Sequence, residues 1–140
     1  MKSKAASKAL CLILTLCLLL SSASASAVAE EPLQPRYSSI FLFGTGLEIS
    51  PAGRADCTSC VTVDDDDTVT LIMSLKKSSD GVTWSIEKTW SVTGTGTVAL
   101  EKSYYVVSGY YYRVTSTATV YNENGHYLET GNSSSATIDY

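Results

Sequence analysis

The chain has 140 residues, with 10 Lys and Arg against 14 Asp and Glu and a formal net charge of −4. That length suits one domain, and the excess of acid excludes a protein held by charge to nucleic acid or to an anionic lipid surface. Four cysteines are too few for a disulfide-dense scaffold, so stability must come from an apolar core.

The N-terminus opens with Lys2, Lys4 and Lys8 and no acid, a charge pattern that stays on the cytoplasmic side of a membrane. Residues 9–20 (ALCLILTLCLLL) form an apolar run. At about 1.5 Å per helical residue it reaches about 18 Å, short of a hydrocarbon core of about 30 Å. The small residues that follow offer peptidase sites ending at Ala25, Ala27 and Ala29. These features predict a signal peptide over residues 1–29 rather than an uncut anchor. Leu10 and Leu16 precede Cys11 and Cys17, where lipidation needs a small residue. Residues 135–140 carry neither a hydrophobic tail nor a sorting motif, so a secreted, extracellular product is expected. Membrane contact is then confined to the signal peptide before cleavage. Cutting after Ala29 leaves seven basic against fourteen acidic residues, a net charge of −7.

Residues 30–37 hold two prolines and two adjacent acids without periodicity and read as a flexible leader. From Ser38 to Tyr140 the chain turns to Thr, Val, Tyr and Ser, residue types suited to a pleated, half-buried surface. Seven strands are predicted, most of them with one apolar parity. Phe41, Phe43, Leu47 and Ile49 share a face in the first, and Ala55, Cys57, Val61 and Val63 in the second. Val69, Leu71, Met73 and Leu75 do so in the third; Val82, Trp84, Ile86, Trp90 and Val92 in the fourth. Val98, Leu100, Tyr104 and Val106 mark the fifth. Tyr110, Tyr112, Val114, Ala118 and Val120 mark the sixth, and Ala136, Ile138 and Tyr140 the last. Residues 78–81 (SSDG) and 122–125 (NENG) supply turns, with a glycine free to take positive φ. The expected fold is an all-β, seven-stranded antiparallel sandwich, with a closed barrel as the other solution.

The stretch Gly109-Tyr-Tyr-Tyr-Arg-Val114 followed by the Asn-x-Asn-Gly turn resembles immunoglobulin and fibronectin type III-like sandwiches. In those folds a tyrosine at this corner bonds the backbone, and the resemblance assigns that role to Tyr110. Together with residues 75–84 (LKKSSDGVTW), the pattern also resembles a family of small secreted proteins of Gram-positive, Clostridia-like bacteria, to which no function is attached. The resemblance covers about residues 38–140 and implies architecture alone, since its motifs are structural. The inter-sheet disulfide of immunoglobulin domains has no counterpart here.

Cys57-Thr-Ser-Cys60 has the spacing of redox and zinc motifs, but its flanks read as a strand and not a helix N-terminus. Zinc needs about four ligands, and the mature chain offers two cysteines and His126. Three extended residues span about 10 Å, beyond the reach of a disulfide unless a bulge shortens them. A buried Cys57 and an outward Cys60 are expected. Asp64-Asp-Asp-Asp67 could attract Ca²⁺, but it lacks ligand spacing and a glycine, and reads as a solvated hairpin turn. His126 sits beside a turn with no acid at a telling spacing, and Glu48, Glu87, Glu101 and Glu129 fall on parities that face solvent. No catalytic residue, metal ligand or cofactor is therefore assigned.

Nine tyrosines remain to be explained. Tyr105, Tyr111 and Tyr121 fall on the outward parity, with Tyr127 nearby. Outward tyrosines either pack across neighbouring strands or offer flat amphipathic rings to a ligand. The sequence thus predicts a secreted, noncatalytic binding module for an extracellular protein or glycan, with Tyr105, Tyr111 and Tyr121 as candidate ligand-binding residues. A carbohydrate-active accessory protein or enzyme acting on cell-surface glycans is the alternative.

Overall fold

The computed structural model of the chain describes residues 38–140. The expected signal peptide, its cleavage sites and the leader through residue 37 lie outside the described residues. Eight strands follow: β1 (Ile40–Ile49), β2 (Arg54–Val63), β3 (Thr68–Ser78), β4 (Ser85–Thr95), β5 (Thr97–Tyr105), β6 (Tyr111–Tyr121), β7 (Tyr127–Ser134) and β8 (Ile138–Asp139). They form two antiparallel sheets, one in the order β1-β2-β5, the other β4-β3-β6-β7 with β8 also beside β6. No helix among the described residues is long and apolar enough to cross a membrane.

Alternation builds the core. Ala55, Cys57, Val61 and Val63 of β2 and Val98 and Leu100 of β5 meet the inner faces of β3 and β6. Those faces are Val69, Leu71, Met73 and Leu75, and Tyr112, Val114, Ala118 and Val120. Fully burying one such side chain stabilises the fold by about 1.5–3 kcal/mol, so this layer joins the two sheets into a sandwich. Ser116 also points inward, buried and with its hydroxyl unpaired.

Four details depart from the sequence reading. Eight strands are present, not seven: β7 was invisible because its sequence, YLETGNSS, has no apolar alternation and relies on pairing with β6. In β1 the register slips between Ile40 and Leu42, leaving Phe41 unpaired and 62% exposed while Ile40 turns inward. In β4, Lys88 opposes Leu75 but Ile86 opposes Lys76, so Glu87 is an extra residue. That bulge turns Ile86 to the outer face (63% exposed), and Val82 is 81% exposed in the turn before β4. Finally, residues 64–67 do not close a hairpin, because β2 and β3 belong to different sheets. They form a corner between sheets, with the Asp67 N–H donating to the Asp64 carbonyl at 3.0 Å.

A second corner carries the chain from β4 to β5 through a single residue. Gly96 takes φ +64 and its carbonyl accepts from the Val63 N–H at 2.9 Å. A Cβ there would stand 2.8 Å from Asp65 Oδ1, so glycine is required on both counts.

Two polar side chains, Tyr112 and Glu129, fasten the ends of the sandwich. The Tyr112 hydroxyl donates to the Val107 carbonyl at 2.7 Å, so the corner tyrosine is Tyr112 and not Tyr110. Tyr112 has the inward parity and 1% exposure that bring its ring under the preceding loop. Tyr110 is only half-buried, edge-on to Tyr112. At the start of β1 the Glu129 carboxylate of β7 accepts from the backbone N–H groups of Ser38, Ser39 and Ile40 at 3.1, 2.7 and 2.7 Å. Glu129 is therefore not the solvent-facing acid that its parity suggested. Burial pulls its pKa upward, but the N–H donors of Ser39, Ser38 and Ile40 outweigh it and leave the pKa below the ordinary 4.5.

Tyr112→Phe should cost about 0.5–1.5 kcal/mol in chemical denaturation, while Tyr110→Phe should be near neutral. Equal losses from both would remove the corner assignment. For Glu129 the folded pKa is depressed, so its stabilisation is complete above the unfolded value of 4.5 and fades as pH falls through the folded one. The stability gap between wild type and Glu129→Gln should be largest near pH 7 and shrink steadily below about pH 4.5 in thermal melts. A gap independent of pH would mean the carboxylate charge is not what holds β1.

Candidate functional site

The outer face of the five-stranded sheet is mostly hydroxyls. Thr70 and Thr93 approach to 3.0 Å, Ser74 and Thr89 to 2.9 Å, and Thr117 donates to Asn132 at 3.0 Å. Each pair lies on neighbouring strands, where side chains stand in rows across the sheet. At the β3–β4 end the composition changes abruptly. The Arg113 guanidinium lies 4.1 Å from the centre of the Trp84 ring, a cation–π stack. Ile86 and Arg113 both stand directly opposite Lys76, one on each side, and Tyr111 stands opposite Ser78. Tyr111 packs near Gly81, at the head of the β3–β4 turn.

Local chemistry holds this end in place. Asp80 accepts from the Val82 and Thr83 N–H groups and the Ser78 hydroxyl, each at 2.8 Å. The Thr83 and Val82 donors, then Ser78, hold its pKa down at about 2, so it stays ionised and the turn stays closed. The extra residue Glu87 meets Lys77 at 2.6 Å, and that hydrogen bond raises the lysine pKa. Lys77 Nζ also lies 4.8 Å from the Tyr110 ring centre. Lys77, Tyr110, Trp84 and the hydroxyls of Ser78, Ser79, Thr83 and Ser85 line a shallow cleft of about 250 Å³.

Charge is unevenly satisfied here. Among the described residues the ion pairs are Arg54–Asp56 and Lys77–Glu87. Neither Lys76 nor Arg113 takes part, and Arg113 Nε is buried without a hydrogen-bond partner.

The three tyrosines singled out from the sequence do not converge. Tyr111 belongs to the cluster just described. Tyr121 shares its parity but sits ten residues along β6, about 33 Å away. It packs edge-on to Tyr127, with ring centres 6.3 Å apart. Tyr105 ends β5 in the other sheet, opposite Arg54, and is 72% exposed. Trp84, Ile86, Lys76 and Arg113 escaped the sequence reading. One signal was there: Lys88 interrupts the even-numbered apolar parity of β4 where the bulge falls.

A second concavity, about 280 Å³ and more apolar, runs along the outer face of the three-stranded sheet. It is a trough left where Gly44 and Ala99 flank Cys60 with little or no side chain. Both Cys57 and Cys60 are free thiols. Cys57 is buried in the core, and burial, then Asp56, pushes its pKa up to about 11, which keeps it protonated at neutral pH. Cys60 is half-buried on the opposite face. Among the described residues no group of three or more His, Cys, Asp or Glu is disposed to hold a metal. His126 is exposed on the β6–β7 turn, its backbone N–H donating to Asn122 Oδ1.

No protein-family model and no curated protein matches the chain.

The stack is open to a direct check. In a Trp90→Phe background, which isolates Trp84, Arg113→Ala should shift the indole emission to the red as water reaches the uncovered ring. The same change should cost about 0.5–1 kcal/mol. An unmoved spectrum would mean that the guanidinium does not cover the indole in solution.

Proposed function

We propose that this protein is exported and acts outside the cell as a noncatalytic binding module, using the outer face of its five-stranded sheet. Trp84 carries the reading. A half-buried ring stacked under a guanidinium on the outer side of the sheet, with the exposed Ile86 two residues further on, puts apolar area where the core gains nothing. Trp, Tyr and Arg are the residue types that dominate binding surfaces. A noncatalytic role is supported by how the titratable groups are used: Glu87 pairs with Lys77, Glu129 fastens β1, and Asp80 closes a turn.

The finer architecture is read as immunoglobulin-like, closer to fibronectin type III. In constant immunoglobulin domains the fourth strand pairs with the fifth. Here it pairs with the third, giving β1-β2-β5 facing β4-β3-β6-β7. The Tyr112 bond to Val107 supports the same reading. Export rests on the lysines, the short apolar run and the alanine sites of residues 1–29. A Gram-positive source rests on the resemblance of residues 75–84 and 109–114 alone. The partner is an extracellular protein or glycan.

Two measurements test the reading. Protein recovered from the culture medium should begin at Ser26, Val28 or Glu30 by N-terminal sequencing; retention of the uncut chain in cells would end the export claim. Immobilised protein should hold a defined component of the cell envelope that a Trp84→Ala, Ile86→Ser variant releases. Equal retention by both would remove this face as the binding site.

A further inference from the structure

Resting on that reading of the face, we propose that its ligand is an acidic polysaccharide, with sugar carboxylates seated on Lys76 and Arg113.

The charge arrangement points first to an anion. Lys76 and Arg113 stand directly opposite each other on β3 and β6, where paired side chains begin about 5 Å apart. Like charges so placed repel. Residues 38–140 contain twelve acids and six bases, so carboxylates are plentiful, yet none pairs with these two cations. The two on the β3–β4 segment beside them are committed elsewhere, Glu87 to Lys77 and Asp80 to its own turn. Arg113 is also fixed in advance: its guanidinium is stacked on Trp84, and its Nε is buried and unpartnered. A planar fork held still loses little freedom when it takes a carboxylate.

The surroundings favour a sugar over an acidic peptide. Lys76 and Arg113 lie on interior strands, so a peptide strand added at the free edge of β4 would run beyond Ile86 and not across the two cations. What the face does offer is a line of hydroxyls beginning at Ser74 and Thr89, next to aromatic rings at Trp84 and Tyr111. Hydroxyls exchange hydrogen bonds with sugar hydroxyls, and ring faces cover the apolar faces of sugar rings. An extended polymer fits this flat surface better than a compact ligand.

Polygalacturonate is the probe, titrated calorimetrically into the purified protein. Binding should weaken at least about tenfold with Lys76→Gln or Arg113→Gln. It should weaken further as NaCl rises from about 20 to about 300 mM. Arg113→Lys, which keeps the charge but not the fork, should lose less. Lys102→Gln, exposed on the three-stranded sheet, should keep full affinity, and thermal melts of every variant establish that it is folded. A neutral glucan should not bind. Equal affinity for polyglutamate would overturn the sugar assignment, and full affinity in Lys76→Gln and Arg113→Gln would overturn the site. No binding of polygalacturonate, with the envelope component still held through Trp84, would overturn the acidic ligand and leave the binding module intact.

Discussion

The apolar layer between the sheets constrains every other feature, because in a strand a side chain that enters it sends both neighbours to the opposite face. β2, β3 and β6 obey this over most of their length, and the layer is tight where they face each other: Val69, Leu71, Met73 and Leu75 are fully buried. The outer face is then whatever the alternate positions leave over. On β3 and β6 those are chiefly Thr70, Ser74, Thr115, Thr117 and Thr119, with Ile72 among them, and they bond sideways or lie on the outer face and add little to the core.

Departures from alternation produce the candidate site. With β4 regular, Trp84 and Ile86 would enter the sandwich with Trp90 and Val92. The extra Glu87 reverses the face of what precedes it, so Ile86 meets solvent and Trp84 meets Arg113. The same residue supplies the partner for Lys77. One insertion therefore both exposes Ile86 and supplies a carboxylate that pairs with Lys77, while Lys76 and Arg113 take part in neither ion pair of the described residues. Bulges near sheet edges re-aim side chains in this way, and β4 is an edge strand.

The polar bonds do a separate job. Tyr112 ties the loop before β6 to the core, Glu129 ties the start of β1 to β7, and Asp80 closes the turn beside Trp84. Each sits at an end of the sandwich, where backbone groups lack strand partners and a side-chain acceptor or donor replaces them. Asp80 and Glu129 thus serve a turn and a strand start, while Lys76 and Arg113 stand together on one face without an ion-pair partner among the described residues. A net negative domain can in this way present a locally positive surface.

By itself the sequence determined the fold class, most strand positions and the burial of Cys57. These follow from composition and period-two alternation, which are local. It also marked Tyr111 and the tight turn at Gly81. Tertiary structure alone decided the eighth strand, since β7 has no apolar pattern and exists through pairing with β6. It alone decided which tyrosine reaches Val107, that Glu129 caps β1 from ninety residues away, and that Tyr111, Tyr121 and Tyr105 stand apart. Above all it decided that Trp84 faces outward. Register is a relation between two strands, and a single extra residue in one of them inverts a face while the strand by itself shows only the break in apolar parity at Lys88.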